Sequence, residues 1–193
     1  MQTTLPSRVI AGAVLPRATW ATITGVVGFA LLTAAAAQVR ISLPFTPIPI
    51  TGQTFAVLLS GAALGSAAGA ASQTLYLALG LVGLPFYAGG ESGWTYATGT
   101  SGGYLVGFIV AAYVVGLLAE RRQDRTLASA IPAFLTGTIV IYLFGVPWLA
   151  HIAGVSWQEA VALGLVPFVI GDLVKAGLAG VTLPAAWRLS GDR

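Results

Sequence analysis

The stretch "VPFVIGDLVKAGLAGVTLP", Val166 to Pro184, is almost wholly apolar, yet it carries Asp172 and Lys175 near its start. A membrane-crossing helix needs roughly 20 apolar residues, and this run is long enough to be most of one. A lone charge at the centre of such a helix costs roughly 3 kcal/mol on insertion scales. Residues three apart share a helix face, so both charges must point into a bundle or a cavity and not into lipid. The plainer reading is a salt bridge that only neutralises itself. Against it, apolar residues in place of such a pair often stabilise a protein. A charge pair in a chain with few other buried charges is therefore read as a ligand site.

The rest of the chain agrees with a membrane setting. Of 193 residues, 56% are hydrophobic and 8% charged, and the mean hydropathy is +0.87. A soluble domain carries about 25% charged residues, so this chain lacks the charge to cover a water-facing surface. No cysteine is present, which excludes disulfides and thiolate metal sites. The net charge of +3 comes from arginines set between apolar blocks, not from a basic patch, so no nucleic-acid partner is expected.

The apolar blocks are continuous and not alternating, which favours helices over a β-barrel. The expected fold is an all-α membrane protein, a single domain over 1–193 with six transmembrane helices at about 18–38, 52–70, 70–86, 101–119, 127–149 and 167–188. Arg8, Arg17, Arg121, Arg122, Arg125, Arg188 and Arg193 then fall on one side, and Arg40 on the other. The positive-inside rule makes that first side cytoplasmic, with both termini in it and 1–17 as a cytoplasmic tail. Trp20, Trp148, Trp157 and Trp187 fall near span edges, where an interfacial belt would sit. The basic start and "TAAAAQ" (Thr33 to Gln38) offer a competing reading as a cleaved signal peptide. A run as long as a full span argues against cleavage.

Two outer segments flank the expected site. "RISLPFTPIPITGQTF" (Arg40 to Phe55) carries three closely spaced prolines, which exclude a helix and favour an extended segment. Thr51 and Gln53 follow it as candidate binding groups; their plainer roles are a helix cap and a bond to a neighbouring helix. "GLVGLPFYAGGESGWTYATGTSGGYL" (Gly80 to Leu105) is rich in glycine and contains Tyr87, Trp94, Tyr96 and Tyr104. These loops are expected to cap an outward-side cavity, with the aromatics lining it; the alternative for the second is a plain interfacial loop. Tyr76 and Gln73 on the third span are further candidates. "SWQEAVALG" opens with Ser156 and Glu159 at capping-box spacing and predicts a short helix before the last span. Pro167 is expected as that span's first residue. Small residues at four-residue spacing, Gly61, Gly65 and Gly69, Gly103 and Gly107, and Ala30 and Ala34, mark close helix approaches.

There is no phosphate-binding loop, no nucleophile–base set and no metal spacing, so no enzyme activity, cofactor or metal is expected. No half-and-half repeat stands out, which weakens a reading as an inverted-repeat transporter.

Four ordered blocks, "PFTPIPITGQTFAVLLSGAALG", "LYLALGLVGLPFYAGG", "TSGGYLVGF" and "PFVIGDLVKAGLA", resemble the signature blocks of the BioY family over Pro44 to Ala179. These are the biotin-binding, substrate-specific subunits of energy-coupling-factor vitamin importers. Thr100 and Ser101 stand where the family usually has Pro-Thr, and Phe86 and Tyr87 where Val-Phe is more usual. The resemblance implies six helices in a bacterial inner membrane, in contact with membrane lipids, and capture of biotin from outside. Asp172 and Lys175 would lie in the ligand cavity. Ala30 and Ala34 would dock a transmembrane coupling subunit that works with two cytoplasmic ATPase subunits. An ionised Asp172 would accept from the ureido N–H groups of biotin. Lys175 would neutralise Asp172 and either donate to the ureido carbonyl or pair with the tail carboxylate. The competing function is a stand-alone proton- or ion-coupled transporter of a small carboxylate or vitamin, with the pair as its titrating couple. A third is a scaffold whose charges only set helix register.

Overall fold

The computed structural model describes residues 9–14 and 19–189. Arg8, Arg17, Arg193 and most of the expected N-terminal tail lie outside the described residues. What is described of that tail is not loose: α1 (Ile10–Val14) leans on the bundle, and Val9 is fully buried.

The long helices follow the apolar blocks. They are α2 (Thr19–Gln38), α3 (Gln53–Leu64), α4 (Ser66–Leu81), α6 (Gly102–Glu120), α7 (Leu127–Ala153) and α9 (Val169–Leu189). Two short helices lie between them, α5 (Gly93–Ala97) and α8 (Trp157–Gly164). Among the described residues, four runs are long and apolar enough to cross a membrane: Trp20–Gln38, Gly102–Glu120, Leu127–Ala153 and Trp157–Leu189, the last holding both α8 and α9. The boundary between the second and third expected spans moves toward the N-terminus. Gly65, at φ +87°, ends α3 and starts α4, a backbone conformation that favours glycine. With 12 residues, α3 is about 18 Å long.

Helix α6 is the centre of the bundle, packed on α7, α3 and α4; α2 covers α4 and α3, and α9 lies on α7 and touches α3. Small residues set these approaches. A Cβ on Gly61 would fall 2.2 Å from the carbonyl oxygen of Ala112 on α6. Gly69 belongs to α4 and packs on Gly61, so the three glycines expected along one span instead join two helices through a turn. Gly103 and Gly107 admit Trp148 and Ile141 of α7.

Both ends are tied. At one, the Glu120 carboxylate accepts from the backbone N–H and hydroxyl of Ser66, at 2.8 and 2.9 Å, and so caps α4. Beside it Trp187 donates to Asp124 at 2.6 Å, and the Arg125 guanidinium lies 3.2 Å from the Trp187 ring centroid. Burial holds the Asp124 carboxyl above the ordinary range, partly offset by the Trp187 hydrogen bond. Trp187 is thus a packing residue and not part of an interfacial belt. Trp148 is also tied inward, donating to the Gly99 carbonyl at 2.8 Å, whereas Trp20 and Trp157 are exposed.

At the other end, β1 (Arg40–Ile41) and β2 (Ile50–Thr51) pair antiparallel and close the Pro-rich segment into a loop. Thr46 fastens that loop by donating to the Leu163 carbonyl at 2.7 Å. The capping box of α8 forms in both directions: Ser156 caps Glu159, and the Glu159 carboxylate accepts from Ser156. Pro167 sits in a 3-10 turn, Val166–Phe168, and α9 begins two residues later than expected.

Candidate functional site

Asp172 lies in the first turn of α9 and is buried, with 5% of its surface exposed; Lys175 follows one turn on and is half-buried. Their charged groups meet at 3.3 Å. Neither is left to the other alone. Tyr142, on α7, donates its hydroxyl hydrogen to Oδ2 of Asp172. The Lys175 ammonium donates to Oδ1 of Asp172 and, at 2.6 Å, to the hydroxyl of Thr54 on α3. The pair therefore sits at the seam of α7, α9 and α3, held by a hydrogen-bonded row from Tyr142 to Thr54.

This row faces a cavity of about 50 Å³. Thr51, Gln53 and Thr54 line it at the head of α3, and Tyr104, Leu105 and Phe108 from α6. Ile48 and Pro49 of the Pro-rich loop close it from one side, and Phe168 from another. A second cavity of about 430 Å³ adjoins it, lined by Arg40, Glu91 and a set of serine and threonine side chains. Pro49, Tyr96 and Ser101 line both, so these three form the partition between an inner and an outer chamber. Tyr96 stacks on Tyr87, ring centroids 5.1 Å apart, and burial raises the phenols of both, that of Tyr87 to about 12. They stay neutral donors at any working pH.

The other expected residues divide. Gln53 reaches the inner chamber, but its amide is already engaged: it donates to Tyr76 at 2.6 Å and accepts from Thr51 at 2.8 Å. Tyr104 lines the chamber while its hydroxyl donates to the Gly164 carbonyl. Tyr76 stands behind Gln53 and not in the wall. Tyr87 is buried, donating to the Leu77 carbonyl at 2.8 Å, and supports Tyr96 from behind. Gln73 faces away from the site into a junction of α2, α3 and α4, where its amide nitrogen, with two hydrogens to donate, lies within hydrogen-bonding distance of the Thr33, Ser60 and Ser72 hydroxyls. Trp94 is 70% exposed and lines neither chamber. Ala30 and Ala34 are not an open docking face: both are buried in the chain's own core, because α2 turns its small side chains toward its neighbours and its large ones outward.

Tyr96, expected with the other loop aromatics, lines both chambers; Tyr142 and Thr54 were not expected from the sequence. Tyr142 alone left a signal: it is the one tyrosine in the long apolar run of α7, and a buried phenol needs a hydrogen-bond partner.

The geometry defines a class first: a helical membrane-type bundle with a charged, hydrogen-bonded clamp at the edge of an internal chamber. Within that class the sequence matches the BioY family over residues 9–192, and the chain belongs to the BioY family. It is 38% identical to the probable biotin transporter BioY of Pyrococcus horikoshii, covering 85% of this chain and 93% of that protein. It is 40% identical to the biotin transporter BioY of Rhodobacter capsulatus, covering 75% and 85%. The fold matches a crystal structure of the S-component for biotin from an ECF-type ABC transporter, with a TM-score of 0.78 at 27% identity, over 89% of this chain and 92% of that one. The relatives are transporters and not enzymes.

Proposed function

We propose that this chain is the biotin-capturing membrane subunit of an ATP-driven importer, with six spans and both termini in the cytoplasm. Biotin enters from outside through the outer chamber and is held at Asp172 and Lys175. The observation that carries this reading is the clamp: a buried carboxylate and an ammonium 3.3 Å apart, both open to an internal chamber. A cyclic urea presents N–H donors beside an acceptor carbonyl, and the pair offers the complement. The relatives named as biotin transporters support that ligand, and the fold neighbour, an S-component from an ECF-type ABC transporter, supports an ECF-type assembly; the coupling subunit and two ATPase subunits are what the family resemblance implies. The exposed Arg121, Arg122 and Arg188 support a cytoplasmic assignment for their end.

Hydrogen bonds to charged groups are worth about 1.5–3 kcal/mol, and a nanomolar site needs roughly 12 kcal/mol. Apolar burial must therefore supply most of the affinity, and Phe108, Phe168 and Leu105 in the inner wall are placed to provide it. The test is labelled biotin on the purified chain in detergent. Asp172→Asn and Lys175→Ala should each weaken binding by about tenfold or more. Parental affinity in both variants would remove the pair from the site.

A further inference from the structure

Asp172 and Lys175 do not present all their hydrogen-bonding capacity to the chamber. The carboxylate has two oxygens with about four acceptor sites between them, and Tyr142 takes one site, on Oδ2. The ammonium has three hydrogens: one goes to Oδ1 of Asp172 and one to Thr54. What remains is about one acceptor site on each carboxylate oxygen and a single N–H of Lys175, which lies beside Oδ1. Both Tyr142 and Thr54 line the chamber themselves, and they come from different helices, α7 and α3. The clamp is thus gripped from opposite sides, so that neither charged side chain is free to swivel.

We propose that Tyr142 and Thr54 are positioning residues that set ligand specificity, by holding the charge pair in one orientation that sets a carboxylate acceptor beside a single fixed N–H donor. That pattern accepts the N–H and C=O edge of a neutral urea or amide ring. It rejects a ring in which the carbonyl is replaced by a donor, because the fixed Lys175 N–H would then face another N–H, with like charge where the analogue is a cation. This rests on the reading that the chain binds biotin at this pair. It assigns Lys175 to the ureido carbonyl and leaves the tail carboxylate to other groups.

The discriminating probe is the guanidino analogue of biotin, in which C=NH replaces the ureido carbonyl and which is cationic at pH 7. Affinities of biotin and of this analogue are measured on the intact purified chain, and their ratio is the readout. Thr54→Val keeps the shape but removes the acceptor, so Lys175 can withdraw. Tyr142→Phe removes the bond that holds Oδ2, so the carboxylate can turn toward the cation. Each variant should lower the biotin-to-analogue ratio by about tenfold or more, while Thr54→Ser, which keeps the hydroxyl, should hold the parental ratio. General loosening would weaken both ligands together and leave the ratio alone; Leu105→Ala, in the same wall, is the control for that behaviour. If the parent binds biotin and neither variant changes the ratio, the positioning role is wrong and the biotin reading stands. If the parent binds no biotin, the functional reading itself fails, and this assignment with it.

Discussion

Gln73 donates toward three hydroxyl groups, and none of them depends on it. Thr33, Ser60 and Ser72 each donate to a carbonyl of their own helix, Phe29, Val57 and Gly69 respectively. The amide oxygen of Gln73 is buried and has no partner. An unpartnered buried acceptor costs about 1–3 kcal/mol, and it offsets what the donated bonds contribute. Gln73→Leu should therefore leave thermal stability within about 1 kcal/mol of the parent and leave biotin affinity unchanged, by melting and titration of the purified chain. A large loss of binding would return Gln73 to the site. Asp172 and Lys175 were legible in the sequence because charge is rare in an apolar run. Gln73, Tyr76 and Gln53 were legible only as polar groups that need partners, since one sequence does not fix the rotation of a helix. Thr54 was hidden for a different reason: a threonine in an apolar helix usually bonds back to its own backbone, and nothing in its neighbours marks one that reaches across to a lysine.

Among the helices, the approach of α3 to α6 depends on a missing side chain. Gly61 puts its Cα where a methyl group would run into the backbone of Ala112, and backbone cannot turn aside as a side chain can. Gly61→Ala should separate the two helices and cost about 1–3 kcal/mol, seen as a lower melting temperature in detergent. Because α3 also carries Gln53 and Thr54 at its head, biotin affinity should fall in the same variant. An unchanged melting temperature would mean that the contact relaxes freely. The long helices themselves were legible from apolar run length, and their limits held within a few residues except at Gly65. There the run continues unbroken through the turn, since "GSAAGAASQ" has no charge or proline to mark an end. The small-residue spacing was legible too, but not which surface it served: Ala30 and Ala34 face inward. Spacing alone cannot say whether a smooth face meets the same chain or another.

At the scale of the whole molecule, the described residues form a container with a clamp at one end and a tied surface at the other. Nothing in that arrangement is a source of energy, and the fold neighbour is part of an ECF-type ABC transporter. The chain alone, reconstituted in liposomes under a pH gradient, should bind biotin without accumulating it. Accumulation without any ATPase would favour the competing reading, in which Asp172 and Lys175 carry protons and not a ligand.

The inner chamber, at about 50 Å³, has room for only a few waters, whereas sites for small organic molecules measure about 300–1,000 Å³. Little solvent has to leave, but Pro49, Tyr96 and Ser101 must part before anything as large as a vitamin can settle. Association of biotin with the purified chain is then expected to run below the diffusional rate. The same obstruction slows escape as well as entry, so it lengthens residence and leaves the equilibrium affinity to the contacts of the inner wall.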